Sequence, residues 1–199
     1  MSKVITTPIG VAFYPHVVTP NTTFDENGLF DCKLHVSEED FNTFELKVND
    51  IVNAAYDQEC KARGKKKLQV AAKKPLRQTD DGDFEIYAKQ KAKIETRSKG
   101  TIEFSIALFD GEGSKINDKP KIGSGSRLRL GVEVAPYFTD MIGFGYTLRL
   151  KAVQVIELCE YSGGGGSKFG FTSVEDSYVG TGESFNDTFE EEETAEAPF

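Results

Sequence analysis

Apolar residues along this chain recur at two different periods, and the changes of period divide it into elements. Leu29–Val36 alternates, with Phe30, Cys32, Leu34 and Val36 on one side and Asp31, Lys33 and His35 on the other. Period two of this kind predicts a half-buried strand. The period then changes: Phe41, Phe44, Val48, Ile51, Val52 and Ala55 recur every three or four residues, the apolar stripe of an amphipathic helix. Ser37 stands where an N-cap belongs, with acidic residues in the first turn, and the helix is expected to run to about Lys61 and stop near Gly64.

Alternation returns further on. Residues 84–95 read as one strand, with Phe84, Ile86, Ala88, Ala92 and Ile94 inward and Tyr87, Lys89, Lys91 and Lys93 projecting together on the other face. Residues 101–108 turn Ile102, Phe104, Ile106 and Leu108 inward, and 110–114 read as a turn. Residues 127–134 place Leu128, Leu130, Val132 and Val134 inward with Arg127 and Arg129 outward. Residues 143–158 form a long or bent strand with Phe144, Tyr146, Leu148, Leu150 and Ile156 inward and Arg149 and Lys151 outward. Gly131, Gly143 and Gly145 mark candidate bulges. Residues 1–27, punctuated by Pro8, Pro15 and Pro20, read as mostly irregular, with a short strand at 10–14. Short strands around a single long helix predict a mainly β chain: a small barrel with the helix inserted after an early strand.

Composition changes the picture most at the C-terminal end. From residue 162 the chain reads Ser-Gly-Gly-Gly-Gly-Ser, a flexible linker. The sequence after it continues without a tag, so the linker reads as native. From about Lys168 the chain has too few apolar residues to build a core and is expected to be disordered. The reading is therefore a domain at 1–161 and a linker with acidic tail at 162–199. The net charge of −8 is distributed unevenly: residues 1–168 hold 24 basic and 23 acidic residues, whereas 169–199 hold nine acidic and none basic. An acidic tail attached to a near-neutral body suggests that the tail acts on something basic. Phe185, Phe189 and the terminal Phe199 stand out there as anchors for a partner, because solubility alone needs no aromatic residues.

The candidate chemistry is binding. Motifs of the GxSxG, HExxH and GxxxxGK[ST] types are absent, and Gly123-Ser124-Gly125-Ser126 is too short and lacks the lysine of a phosphate loop. The two histidines have no plausible triad partners, so no catalytic residue is assigned. Cys32, Cys60 and Cys159 form no CxxC pair and read as buried thiols in a reducing compartment. Asp80, Asp81 and Asp83 read as a solvated turn, so neither a metal nor a cofactor is expected. By contrast, residues 61–99 hold 13 basic and 5 acidic residues. Sequence-tolerant recognition of single strands needs a cationic groove for phosphates and aromatic faces for bases. Lys65, Lys66, Lys67, Lys73, Lys74 and Arg77 in loops, and Lys89, Lys91, Lys93, Arg127, Arg129, Arg149 and Lys151 on strand faces, supply the cations. Tyr87, Tyr14, Phe109 and Tyr137 are the stacking candidates. An alternative reading makes the chain an adaptor whose barrel is scaffold and whose tail binds a basic partner.

A β-barrel, a Gly/Ser linker and an acidic tail closing on Phe resemble the single-stranded DNA-binding proteins of tailed bacteriophages. The segment Gly10-Val-Ala-Phe-Tyr-Pro-His16, with Pro20 and then Phe24 to Phe30, is similar to the start of one such group. The resemblance implies an OB-fold (oligonucleotide/oligosaccharide-binding) barrel that binds single strands in phage replication and recombination. It also implies a tail that competes for the DNA groove and recruits replication proteins. Residue by residue it carries over only to Glu190, Glu191, Glu192, Glu193, Glu196 and Phe199. The absence of tryptophan departs from many single-strand binders and leaves stacking to Tyr and Phe. Attraction of a cationic face to duplex DNA, and a homodimer, both fit the sequence. No stretch approaches the ~20 apolar residues of a membrane helix. With no secretory signal pattern at the N-terminus, the expected location is cytoplasmic, in the host cell if the protein is viral.

Overall fold

A computed structural model describes residues 4–23, 25–96 and 100–160. The predicted linker at 162–167, Phe185, Phe189, the run Glu190 to Glu193, Glu196 and Phe199 lie outside the described residues. In chain order the described residues form β1 (Val4–Thr6), β2 (Gly10–Asn21), β3 (Leu29–Val36), α1 (Glu38–Ala62), β4 (Leu76–Gln78), β5 (Phe84–Lys91), β6 (Lys93–Thr96), β7 (Gly100–Glu103), β8 (Ala107–Phe109), β9 (Arg127–Thr139) and β10 (Gly143–Glu157).

Five of these strands close on one another. β2 pairs antiparallel with β3, and β3 with β5. β5 runs parallel to β10 through Leu148↔Ala88 and Arg149↔Lys89. β10 pairs antiparallel with β9, which returns to β2 through Gly10↔Leu128 and Val11↔Arg127. The order β2-β3-β5-β10-β9 is thus a closed barrel, which removes free edges from all five strands. Around it, β1 extends the line of β2 along β9, β4 pairs β5, and β8 pairs β10. The apolar half of each alternating strand fills the interior: Cys32, Leu34, Ile86, Ala88, Leu128, Leu130, Val132, Leu148, Leu150 and Val153 are all buried.

The helix forms as its capping signals predict. Ser37 Oγ accepts from the Asp40 N–H at 3.2 Å, and Glu38, Glu39 and Asp40 complement the positive helix end. At the other end, the Gly64 N–H donates to the Lys61 carbonyl and the Lys65 N–H to the Cys60 carbonyl. Gly64 supplies the positive φ, 63°, that this Schellman closure requires. Phe41, Phe44 and Val48 are buried in the core, and Phe41 meets Phe84 at 5.1 Å between ring centroids. Further along, Tyr56 and Phe144 pack edge to face.

Cys159, expected to be buried, is exposed, and four expectations for the strands are corrected. The N-terminal segment is not mostly irregular: β2 runs through Pro15 and Pro20. It does so because its pairing with β3 slips between Phe13 and His16 and again before Asn21, so neither proline has to supply a ladder N–H. The strand expected at 84–95 ends at Lys91. β6 leaves to pair with β7 in a separate two-stranded sheet, which leaves Ile94 37% exposed rather than inward. Residues 101–108 divide in the same way between β7 and β8. On β10 the register shifts between Leu150 and Ala152, where Lys151 lacks an opposite residue on β9. One extra residue reverses the side-chain phase, so Val153 and Val155 are buried while Ile156 is only half-buried.

No helix among the described residues is long and apolar enough to cross a membrane.

Candidate nucleic-acid interface

Side chains pointing away from the barrel interior form rows across the strands, set by the registers. One row runs Phe13–Lys33–Tyr87 across β2, β3 and β5. The next runs His16–Asp31–Lys89–Arg149–Glu133 across β2, β3, β5, β10 and β9. Aromatic and cationic residues therefore alternate on one outer surface, centred on β3 and β5.

Asp31 is the hub of this surface. The Tyr87 hydroxyl donates to Asp31 Oδ2 at 3.1 Å, and His16 Nδ1 lies 2.9 Å from Asp31 Oδ1. Burial and the Asp31 carboxylate raise the Tyr87 phenol well above its ordinary value, so the hydroxyl stays a neutral donor. The half-buried ring is held at its edge, with Lys89 Nζ 5.9 Å from its centroid. Lys33 and Lys89 make no ion pair among the described residues.

Next to this surface, Phe13 stacks on His35 with centroids 4.0 Å apart. Tyr14 is 74% exposed and holds a positive φ of 45°, rare for a residue other than glycine. It sits in the slip of the β2–β3 pairing, where its N–H donates to Ser124 Oγ at 2.9 Å. The Gly123-Ser124-Gly125-Ser126 segment thus braces β2: Gly125 N–H donates to the Ala12 carbonyl and Ala12 N–H to the Ser126 carbonyl.

The remaining cations divide into groups. Arg149 and Lys151 both face Glu133, at 3.9 and 3.1 Å. Arg77 places Nε and an Nη on one oxygen of Glu85, at 2.8 and 2.7 Å. Lys91 pairs with Asp25, Lys93 with Glu103 on the β6–β7 sheet, and Arg127 with Glu157. The row expected of Tyr87, Lys89, Lys91 and Lys93 is therefore intact only as far as Lys91. Lys65, Lys66 and Lys67 are exposed just past the helix. Lys73 and Lys74 line a groove of about 250 Å³ beside α1, with Asn49, Tyr56 and Val70. The chain then pairs with β5, where the Tyr87 N–H donates to the Pro75 carbonyl.

Tyr137 and Phe109 sit apart from Tyr87. Tyr137 lies over its cross-strand partner Gly145, where a Cβ would come within 2.6 Å of the phenol. Phe109 and Arg129 flank Gln154 across β8, β10 and β9.

Sequence reasoning missed Phe13, Lys33 and Asp31. The outward set of β3 already showed Asp31 beside Lys33, but its role as partner of Tyr87 depends on a contact 56 residues away. Phe13 gave no signal, because its stretch of chain read as a short isolated strand.

Residues 17–158 match the family "Single-stranded DNA-binding protein, Bacteriophage T7". The chain is 32% identical over 127 residues to the single-stranded DNA-binding protein of Escherichia phage T7, covering 61% of this chain and 53% of that protein. It is 32% identical over 93 residues to the counterpart in Enterobacteria phage T3, covering 43% and 39% respectively. The chain thus spans about half or less of the length of these relatives. The crystal structure of the T7 protein superposes with a TM-score of 0.71 at 21% identity, covering 91% of this chain and all of that one. The protein from bacteriophage Enc34 in complex with single-stranded DNA superposes at 0.56 and 12% identity, covering 80% of this chain and 89% of that one. The fold is mainly β and OB-like, as the closed five-stranded barrel shows, and the chain belongs to the bacteriophage T7 family of single-stranded DNA-binding proteins.

Proposed function

We propose that this chain binds single-stranded DNA, with little regard to sequence, during phage DNA replication and recombination, and that it does so without catalysis. The observation that carries this is the outer surface of β3 and β5: Tyr87 and Phe13 on either side of Lys33, next to Lys89 and Arg149. In an OB-fold the second and third barrel strands form the usual oligonucleotide face, and here those strands are β3 and β5. Tyr87 stacks on bases, and Lys33 and Lys89 neutralise phosphates. Arg149 and Lys151 contribute on release from Glu133, while Tyr14 extends the stacking line and Tyr137 offers a separate ring over Gly145. Lys65, Lys66, Lys67, Lys73 and Lys74 draw the strand in at longer range. Duplex DNA is attracted by the same charges but cannot stack its paired bases, so it binds more weakly.

Residues 1–161 constitute the binding domain in this proposal, and 162–199 a tethered tail. Glu190 to Glu193 and Glu196 compete with phosphates for the cationic face, at an effective concentration set by the linker. Phe199 and the acidic run engage replication proteins once DNA displaces the tail.

The test is fluorescence anisotropy with a labelled dT oligonucleotide and a duplex of equal length, across a salt series. The full chain and a chain ending at Tyr161 are compared. Salt-sensitive binding that favours the single strand and tightens on tail removal is expected. Absence of binding by both chains at low salt overturns the proposal and leaves the adaptor role, in which the tail captures a basic partner. Tyr87→Leu is expected to weaken binding about 5- to 150-fold, the range for one stacked base.

A further inference from the structure

A shallow cavity of about 250 Å³ lies on the outer surface where β8, β10, β9 and β1 run side by side. Thr6, Phe109, Gly113, Arg129, Gly131, Ala152 and Gln154 line it. Two register rows build it. Thr6, Gly131, Ala152 and Ala107 follow one another across the four strands, and Arg129, Gln154 and Phe109 make the adjacent row. Small residues in the first row set a low floor, and large ones in the second rise as a wall. The phase reversal at Lys151 is what turns Ala152 and Gln154 outward here.

The wall is braced before any ligand arrives. Asp110 Oδ1 accepts from the N–H groups of Glu112 and Ser114, which fixes the turn carrying Gly113. Gln154 Nε2 donates to the Gly111 carbonyl at 3.1 Å, tying β10 to the same turn. The Nε of Arg129, in contrast, is shut off from solvent and has no hydrogen-bond partner among the described residues. A buried donor without an acceptor is destabilising, and such positions in native proteins call for an explanation.

We propose that this cavity is a subsite for one unstacked nucleobase and that Arg129 makes it favour a keto base, guanine before thymine. The inference rests on the proposed binding of single-stranded DNA and adds one base-selective position to a surface that is otherwise sequence-tolerant. A flat ring suits a cavity smaller than the ~300–1,000 Å³ of sites for drug-sized ligands, with Gly131 and Ala152 beneath it and the Phe109 ring as its side wall. A phosphate gains nothing from those apolar walls. Arginine carries only donors. The O6 and N7 of guanine present two adjacent acceptors to the guanidinium fork, and thymine presents O4. On the same edge adenine keeps N7 but puts an amino group where guanine has O6, and cytosine puts its amino group there, so neither offers the fork two adjacent acceptors.

The experiment uses the full chain and dC oligonucleotides of about 15 nucleotides, within the span of one OB-fold site. Each carries dG, dT, dA or dC at its centre. Wild-type protein is expected to bind the dG oligonucleotide about 5- to 30-fold more tightly than the dA one, in the lower part of the range for a bidentate base contact. The dT oligonucleotide should fall between them. Arg129→Lys keeps the charge and loses the fork, and Gly131→Val fills the floor. Both are expected to erase the preference, and Gly131→Val to leave affinity for the all-dC strand within about twofold, a spread well below one phosphate contact. Thermal melting of both variants confirms that they are folded. Equal affinity for all four oligonucleotides overturns the inference and leaves the binding function standing. A dG preference that survives Arg129→Lys also overturns it. Failure to bind any of the four at low salt overturns the underlying function as well.

Discussion

Changing Glu133 to glutamine is expected to tighten binding to single-stranded DNA and to make that binding more sensitive to salt. The Glu133 carboxylate lies 3.1 Å from Lys151 and 3.9 Å from Arg149, so it competes with phosphates for two cations. Its side chain is 15% exposed, whereas those of Arg149 and Lys151 are 55% and 35% exposed. The cations therefore stay reachable after the change, and the surface gains one net positive charge. Each phosphate neutralised on a single strand adds about 0.7 to the slope of log K against log salt. One added contact steepens the slope by about that amount. Taking the electrostatic part to vanish near 1 M salt, it tightens binding about fivefold at ~0.1 M. The cost in stability is about 1 kcal/mol or less, because the lost pairs are largely solvated on the cation side. Anisotropy titrations of a dT oligonucleotide between about 50 and 200 mM salt measure both quantities, and thermal melts check the fold. An unchanged slope would refute the reasoning, since it would mean that Arg149 and Lys151 do not meet phosphates. Tighter binding without a steeper slope would refute it equally.

Three further expectations concern the barrel. Arg77→Ala leaves the Glu85 carboxylate, 3% exposed, with His35 at 3.7 Å as its one remaining ion-pair partner among the described residues. A loss of about 2 kcal/mol in urea unfolding is expected, below the full cost of breaking a buried pair because Arg77 itself is half-exposed, and no loss would show that water satisfies Glu85. Burial first, and the Glu45 charge second, push the Tyr146 phenol up from 10.0 to about 12. The folded state therefore holds a proton that the unfolded chain releases: stability is fully present below pH 10 and is lost as pH rises toward 12. In a pH titration followed by tyrosinate absorbance and circular dichroism, Tyr146→Phe should move the alkaline transition upward, and an unmoved midpoint would count against this account. Cys159 is exposed whereas Cys32 is fully buried, its thiol held protonated by that burial. A disulfide reagent should label Cys159 in the native protein and reach Cys32 only on unfolding; rapid native labelling that persists in Cys159→Ser would contradict this.

That exposed Cys159 departs from the sequence reading, which took all three cysteines as buried, and it shows where residue types stop being informative. Cysteine is usually buried, but position 159 lies just beyond the end of β10, where strand alternation no longer applies. The cations behave in the same way. Outward Lys and Arg were legible from alternation, yet Arg77, Lys91, Lys93 and Arg127 each face a carboxylate on another segment, and nothing local to those residues announces it. The sequence points to Lys89 and Arg149 each from its own strand face. That they stand side by side is a consequence of the parallel pairing of β5 with β10.

By itself the sequence determined what short-range physics controls. Apolar alternation defined the inner faces of β3, β5 and β9. The Ser37 cap, the acidic first turn and Gly64 defined α1 to within a residue or two, since helix ends are satisfied by their nearest neighbours. Charge segregation between residues 1–168 and 169–199 was equally plain. Tertiary structure alone decided the closure of the barrel through β9 and β2, the departure of β6 after Lys91, and the phase reversal at Lys151. It alone joined Asp31 to Tyr87, and Arg129 to Gln154 and Phe109. The physical reason is that register belongs to a pair of strands: one bulge reverses every side chain beyond it, and only the partner strand reveals where that bulge falls.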